Sequence, residues 1–246
     1  MQTYVLIVQY DGTDYAGFQV QPGQRTIQGE LEAALSRLGP NFIRIAGAGR
    51  TDAGVHSEGQ TVSFRDDRLT VPVERLPYAL NALLPKDIRV IGSRLEAESF
   101  HARYSALAKT YRYQIYEDEF PNVFLQRYAY WSREPLNWEA IAKCSKLFIG
   151  EHDFAAFASS GSSVKTTVRT MHQVTVDASG PVKTIRFTAD GFLYKMVRNI
   201  VGTMVEVGRG SLSQDDVHCI LASRDRRLAG AAIAPQGLFL ESVNYG

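Results

Sequence analysis

The segment at residues 46–60, AGAGRTDAGVHSEGQ, sets an arginine and an aspartate among glycines, which permit tight turns and a close approach of the backbone to a ligand. If the segment is extended, Arg50 and Asp52 project to the same side, because side chains alternate along an extended chain. A guanidinium close to a carboxylate keeps that carboxylate ionised. The pair therefore fits a carboxylate nucleophile or base. The other interpretation is a structural ion pair that holds a turn together.

This loop lacks the marks of several better defined sites. A dinucleotide-binding fingerprint needs a third glycine and a following helix, and a phosphate-binding loop needs a lysine; neither is present. His56, Ser57 and Glu58 match half of a deaminase signature, but no P-C-x-x-C segment follows. The 2 cysteines and 5 histidines show no metal-ligand spacing, and carboxylates are not clustered. We therefore predict no metal site, which excludes a metal-dependent hydrolase.

Hydrophobic periodicity and turn signals predict the elements that must position this loop. The first half is predicted as strand 3–10, helix 26–38, strands 42–48 and 60–64, helix 75–84 and strand 88–94. The second half is predicted as strand 110–115, helix 138–148, strands 168–176 and 184–189, helix 193–207, a further helix after Ser213, and strand 238–243. Apart from insertions in the second half, both halves follow the order βαββαβ.

Two βαββαβ units predict an α+β fold made of two ferredoxin-like halves. The predicted domains are residues 1–103, which carry the aspartate loop, and residues 104–246, which carry helical insertions. No linker rich in proline, glycine or serine separates them. We therefore expect the halves to pack closely, through adjoining sheets, with a cleft where they meet.

The composition is that of a soluble globular protein, since 45% of the 246 residues are hydrophobic and 22% are charged. The longest apolar runs are interrupted by charges and are too short to span a membrane. The start of the sequence has neither the basic residues nor the cleavage site of a signal peptide. We therefore expect a cytoplasmic protein without a membrane partner.

The net charge of +1 conceals an uneven distribution of charge. Three tracts, residues 101–113, 158–176 and 191–205, contain basic side chains and no acidic ones, and the first also contains three tyrosines. If the tracts converge, they form a groove that follows phosphates and offers stacking surfaces to bases. The alternative is three separate solvated faces.

The aspartate loop also carries a family resemblance. GRTDAGVHSEGQ resembles the aspartate-loop motif of the tRNA pseudouridine synthase A family. YDGTDYAGFQVQP, FHARYSALAKTYRY, GEHDFAAF, KMVRNIVGTMVEVG and GLFLESV resemble other blocks of that family, in order and over essentially the whole chain. The departures are Phe18 where tryptophan is common, Ser57 where alanine is common, and Phe239 where tyrosine is common. None of them affects the residues expected to take part in the chemistry.

The resemblance implies a fold, a partner and a reaction. The fold is two ferredoxin-like halves that share an antiparallel sheet and form an active-site cleft, in a homodimer that binds tRNA. The reaction is the isomerisation of uridine to pseudouridine at positions 38, 39 and 40 of the anticodon stem-loop, with no metal or organic cofactor.

The resemblance also assigns roles to particular residues. Asp52 matches the essential aspartate, which could attack C1′, add to C6 of the ring, or remove the C2′ proton; the sequence leaves these routes open. Tyr111 matches the active-site tyrosine on which a flipped uracil could stack, although Tyr113 lies on the same strand face and is an alternative. Arg198 matches the arginine that pairs with the catalytic aspartate. Arg50 would then hold a phosphate or enter the space that the base leaves.

The remaining candidates are predicted to contact tRNA rather than to do chemistry. Arg103, Lys109, Lys165 and Arg169 are expected to position the tRNA backbone. His56 is expected to hydrogen-bond either the RNA backbone or the loop itself.

A second functional hypothesis is a non-catalytic RNA-binding protein built on the same fold. Asp52 separates the two hypotheses, because a carboxylate among phosphate-binding arginines would repel RNA and has a purpose only in catalysis.

Overall fold

The computed structural model describes residues 3–39, 42–161 and 164–246. The chain divides into two compact units, Met1–Leu107 with Phe239–Gly246, and Ala108–Leu238. The first unit joins two separate segments of the sequence, whereas each predicted domain is one continuous segment. The boundary predicted between residues 103 and 104 stays a prediction.

The strands and helices follow the predicted order, with additions. The strands are β1 Thr3–Tyr10, β2 Ala46–Gly47, β3 His56–Phe64, β4 Ile88–Glu96, β5 Ala108–Glu117, β6 Tyr130–Ser132, β7 Gly150–Asp153, β8 Val168–Asp177, β9 Val182–Ala189 and β10 Leu238–Asn244. The helices are α1 Ile27–Ser36, α2 Leu76–Asn81, α3 Trp138–Ser145, α4 Met196–Gly208 and α5 Gln214–Ser223. Short 3-10 helices lie at Val73–Arg75, Lys146–Phe148, Phe154–Phe157 and Pro235–Gly237.

The sheet of the first unit has the strand order β4–β1–β3–β10, with β2 paired to β3. All of these pairs are antiparallel except that of β10 with β3, which is parallel. Its core contains buried side chains from β1 and β3, such as Leu6 and Val62, together with Leu31 and Leu35 of α1 and Leu80 of α2. Burial of these apolar faces is what stabilises the unit.

The sheet of the second unit has the order β5–β9–β8–β7. These strands pair antiparallel, and the short β6 pairs with β5 in parallel. Ile185 and Phe187 of β9 and Ile200 and Met204 of α4 are fully buried. Each unit is therefore a mixed α+β body with a mostly antiparallel sheet.

Local capping signals in the sequence correspond to real helix ends. Asn137 caps α3 by accepting a hydrogen bond from the backbone N–H of Ala140. Ser213 and Asp216 form a reciprocal capping box at the start of α5. Both satisfy backbone donors that a helix end leaves unpaired.

The predicted strand at 42–48 is too long. Only Ala46–Gly47 forms a strand, although Ile43 and Ile45 are buried. The backbone N–H of Ile45 donates to a carboxylate oxygen of the buried Glu32 on α1, 3.1 Å away. A side chain of the helix thus replaces the strand partner that this segment was expected to have.

Other elements also differ from the prediction, among them a helix start and two short strands. Helix α4 begins at Met196 rather than at residue 193, because Lys195 adopts the left-handed conformation with φ of 58° and so precedes the helix as its N-cap. Strands β6 and β7 were not predicted, since three or four residues are too few to show an alternating pattern.

Among the described residues, no helix has the length and apolar character needed to cross a membrane.

We predict that Gly202→Ala destabilises the protein. In α4, a methyl group at this position would overlap the backbone carbonyl oxygen of Ala231. The obstructing oxygen belongs to the backbone and cannot rotate away. The strain should therefore cost about 1–3 kcal/mol, the usual range for overpacking. Urea unfolding measures this cost. The matched control is Gly92→Ala, whose methyl group would stand 3.6 Å from the Ile7 side chain in ordinary contact. Equal unfolding midpoints for the two variants would contradict the prediction.

Candidate active site

The aspartate loop connects β2 to β3 in the first unit. Arg50 is exposed and Asp52 is half-buried, whereas Thr51 between them is only 6% exposed. This alternation is what an extended segment requires, and it turns both charged side chains away from the core. Directly afterwards the chain turns, and the N–H of Val55 donates to the carbonyl oxygen of Asp52 at 3.2 Å.

Thr51 is the inward anchor of the loop. Its Oγ1 lies 2.8 Å from the hydroxyl of Tyr10 on β1. Its carbonyl oxygen accepts a hydrogen bond from the N–H of Phe18 at 3.0 Å. The hydroxyl and the carbonyl of this buried residue are therefore both paired, as burial requires.

Gln60 of β3 holds the loop at Gly49, two residues before Thr51. Its Nε2 donates to the carbonyl oxygen of Gly49 at 2.7 Å, and its Oε1 accepts from the Gly49 N–H at the longer distance of 3.4 Å. The last backbone bond between the two segments runs from Ala48 N to Thr61 O. The fully buried Gln60 amide thus takes the place of a strand partner where the ladder ends.

The segment after β1 packs directly on the loop. Gly17 has a φ of +103°, and a Cβ there would stand 2.8 Å from the carbonyl oxygen of Thr51. A residue with a side chain would have to adopt an unfavourable backbone conformation and would also push Thr51 outward. Gly17, the second glycine of the block YDGTDYAGF, is therefore required by the position of the loop.

His56 lies inside the protein, 1% exposed, with its ring stacked on that of Phe239 at 4.7 Å between centroids. Its Nδ1 is 3.1 Å from the Gly12 N–H and 3.2 Å from the Asp11 carboxylate. One nitrogen cannot accept from the amide and donate to the carboxylate at once. The hydrogen bond from the Gly12 N–H makes this nitrogen an acceptor. Both contacts are to the segment after β1 rather than to the loop itself, and a bond from His56 to the RNA backbone stays a prediction.

In the second unit, the two candidate tyrosines of β5 have different surroundings. The ring of Tyr111 meets the ring of Phe192 edge to face, with centroids 4.9 Å apart. Tyr113 is fully buried, and its hydroxyl donates to the carbonyl oxygen of Ala234 at 2.6 Å. Burial raises the pKa of the Tyr113 phenol well above its usual value.

Arg198 lies in α4 beside an extended segment that precedes β10. Its Nε donates to the carbonyl oxygen of Ile233 at 2.7 Å, and its own carbonyl oxygen accepts from the Ile233 N–H at 3.2 Å. Gly202, one turn later in α4, has no side chain and lets a second backbone come close. The backbone of Ala231 occupies that space.

The four residues predicted to position tRNA lie at or near the surface. Arg103 and Lys165 are exposed, and Lys109 and Arg169 are half-buried. The guanidinium of Arg169 donates to the carbonyl oxygen of Thr166 at 3.0 Å, which fixes its direction. Within the described ranges, no group of three or more His, Cys, Asp or Glu side chains is arranged to hold a metal ion.

Comparison with known proteins identifies the family. A family described as tRNA pseudouridine synthase matches residues 6–105 and 144–246, ranges that include Asp52 and Arg198. The chain is 46% identical over 242 residues to tRNA pseudouridine synthase A of Moorella thermoacetica, covering 98% of each chain. It is 45% identical over 240 residues to that of Geobacillus kaustophilus, covering 97% of this chain and 93% of the relative. The chain belongs to the tRNA pseudouridine synthase family.

The resemblance inferred from the sequence blocks is thereby confirmed. Among solved structures, this tRNA pseudouridine synthase family member is similar to the archaeal box H/ACA sRNP Nop10–Cbf5 complex at 14% identity and a TM-score of 0.36, over 82% of this chain and 43% of the other.

Sequence reasoning missed Tyr10 and Gln60, whose side chains hold the loop. A signal for Gln60 was present, because a glutamine at an inward position of a strand is unusual and needs buried partners. Tyr10 gave no comparable signal, since a tyrosine in a strand is ordinary.

We predict that Gly17→Ala impairs both stability and pseudouridine formation, because the added methyl group displaces Thr51. The matched control is Gly23→Ala. Gly23 also has a positive φ, +69°, but a Cβ there would have nothing within 4 Å. Both variants carry the left-handed backbone penalty of about 1–2 kcal/mol, and only Gly17→Ala adds the contact with the loop. Urea unfolding and turnover of unmodified tRNA measure the difference. Equal losses in the two variants would mean that the contact is unimportant.

Proposed function

We propose that the protein converts uridine to pseudouridine at positions 38, 39 and 40 of the tRNA anticodon stem-loop, with Asp52 as the catalytic residue. It is a member of the tRNA pseudouridine synthases, which are isomerases. The observation that carries the assignment of Asp52 is its place on the loop: Thr51 is held inside and Asp52 faces outward. The tRNA positions rest on the resemblance of the sequence blocks alone.

The reaction exchanges one bond of the nucleoside for another. The bond between N1 of uracil and C1′ of ribose breaks, the base turns, and C5 bonds to C1′. The proton of C5 is then lost to solvent and N1 takes up a proton, so that the product is an isomer of uridine. Asp52 can serve as a nucleophile at C1′ or C6, or as the base that removes the C2′ proton. All three routes need an ionised carboxylate in a fixed position.

Tyr111, Arg198 and Arg50 are proposed to bind the substrate. Tyr111 is slightly exposed, at 7%, whereas Tyr113 is fully buried, which supports Tyr111 as the tyrosine that meets the base. The guanidinium of Arg198 is fixed through Nε, which leaves its direction well defined for an anionic partner. Arg50 is exposed and suits a phosphate beside the target nucleotide.

The finer architecture is also a proposal. The order β1–α1–β2–β3–α2–β4 supports a ferredoxin-like first unit. We extend this to a ferredoxin-like second half, to domains at 1–103 and 104–246, to a shared sheet with an active-site cleft, and to a cytoplasmic homodimer that works without a cofactor. These extensions rest on the family resemblance.

We predict that Asp52→Asn abolishes tritium release from tRNA labelled at C5 of uridine, because the amide cannot act as a nucleophile or base. Binding of tRNA, measured on filters, and the melting temperature should stay close to those of the wild type. The control is Asp67→Asn, which makes the same charge change at an exposed position of the first unit. Release at the wild-type rate from Asp52→Asn would overturn the site assignment. If neither the wild type nor Asp52→Asn releases tritium although both bind tRNA, the result would favour the non-catalytic RNA-binding protein.

We predict that Lys165→Ala and Arg169→Ala weaken tRNA binding and flatten its salt dependence. Each lost phosphate contact should reduce the slope of log affinity against log salt by about 0.7–0.9. The single-turnover rate at saturating enzyme should not change. The control is Lys143→Ala, a lysine that pairs with Glu139 on α3 at 2.7 Å and should leave the slope unaltered. An unchanged slope in both test variants would remove these residues from the tRNA-binding surface.

A further inference from the structure

Three polar side chains are buried beneath the aspartate loop and have no part in the proposed chemistry. Tyr10, Thr51 and Gln60 are 4%, 6% and 0% exposed. Burying polar groups in a core costs free energy unless they are hydrogen-bonded, and apolar side chains would fill the same space without that requirement. Their arrangement therefore calls for an explanation beyond packing.

The three side chains form one connected chain of hydrogen bonds. The Nε2 of Gln60 donates to Gly49 O at 2.7 Å and lies 3.4 Å from the Tyr10 hydroxyl oxygen. The Tyr10 hydroxyl in turn lies 2.8 Å from Thr51 Oγ1. The amide donates toward the Tyr10 oxygen, and either hydroxyl can be the donor in the bond between Tyr10 and Thr51. Burial raises the pKa of Tyr10 to about 12.

This network fixes the backbone just before Asp52. It holds Gly49 through both of its backbone polar groups and Thr51 through its side chain, while Phe18 N holds the Thr51 carbonyl. With residues 49 and 51 held, the direction of the next side chain along the chain is also set. A displacement of about 1 Å at a reacting group can cost a hundredfold in rate.

We propose that Tyr10 and Gln60 are positioning residues, which hold the backbone of residues 49–51 so that the Asp52 carboxylate lies where the reaction requires it. The inference depends on the proposed role of Asp52. Because neither residue faces outward, their loss should lower the rate of the bound complex and leave tRNA affinity unchanged. A residue that only stabilised the fold would not separate these two quantities.

The first test is Tyr10→Phe, which removes a single oxygen atom. The matched control is Tyr15→Phe, which removes the same atom from another buried tyrosine of the same unit, whose hydroxyl donates to Asp87 at 2.6 Å. We expect Tyr10→Phe to reduce the single-turnover rate about 10- to 100-fold with the dissociation constant for tRNA unchanged. Tyr15→Phe should lower the melting temperature at least as much and retain the wild-type rate.

The second test asks whether Tyr10 acts through Thr51. Thr51→Val removes the same hydrogen bond from its other side, so the double variant with Tyr10→Phe should be no slower than the slower single variant. Thr51→Ser keeps the hydroxyl and should restore most of the rate. Gln60→Glu removes the donor to Gly49 O and should also slow the bound complex.

The possible outcomes separate this inference from the proposed function. Wild-type single-turnover rates for Tyr10→Phe and Thr51→Val, with Asp52→Asn inactive, would overturn the positioning role and leave the catalytic aspartate in place. Equal rate losses in Tyr10→Phe and Tyr15→Phe would overturn it as well, because the effect would then be general destabilisation. An active Asp52→Asn would instead remove the proposed function of Asp52. If Gln60→Glu does not fold, the tyrosine pair decides.

Discussion

The position of Asp52 depends on the burial of Thr51. In an extended segment, neighbouring side chains point to opposite sides, so the aspartate faces outward only while the residue before it stays inside. Thr51 carries a hydroxyl and a backbone carbonyl into the core, and each must find a partner there. Tyr10 and Phe18 supply those partners. Gly17, which lies close to the Thr51 carbonyl, and Gln60, which bonds to Gly49, both help to keep Thr51 buried, since both hold the loop against the sheet.

The second unit holds its candidate arginine by a comparable arrangement of backbone and side chain. Helix α4 lies against an extended segment, and the two exchange hydrogen bonds through the backbone and Nε of Arg198 with Ile233. Gly202 allows the segment to come this close. In both units, then, a glycine permits close contact between two backbones. A hydrogen-bonded polar side chain nearby then sets the direction of a candidate site residue, Asp52 or Arg198. Close packing makes such a direction costly to change.

The sequence predicted features whose causes are local. Strand β1 and the start of the helix after Ser213 depend on residues within a few positions of one another. Sequence-based prediction failed where a distant residue intervened. At residue 45, for example, the backbone N–H bonds to the Glu32 carboxylate and not to the strand partner that was expected. At the site, Asp52 was found through its motif. The supporting network was not found, because the pairing of Tyr10 with Thr51, 41 positions away, has no mark in the local pattern.

An irregularity in strand pairing explains how Tyr10 comes to serve the loop. Val8 of β1 pairs with Gln60, and simple continuation would place Tyr10 opposite Glu58. The register instead shifts, and Tyr10 pairs with Ser57. A bulge of this kind adds a residue to one strand and redirects the side chains beyond it. The Tyr10 hydroxyl therefore meets neutral partners, Thr51 and Gln60, rather than a carboxylate. A carboxylate there would compete with Thr51 for the Tyr10 hydroxyl, and the loop would lose part of its inward anchor.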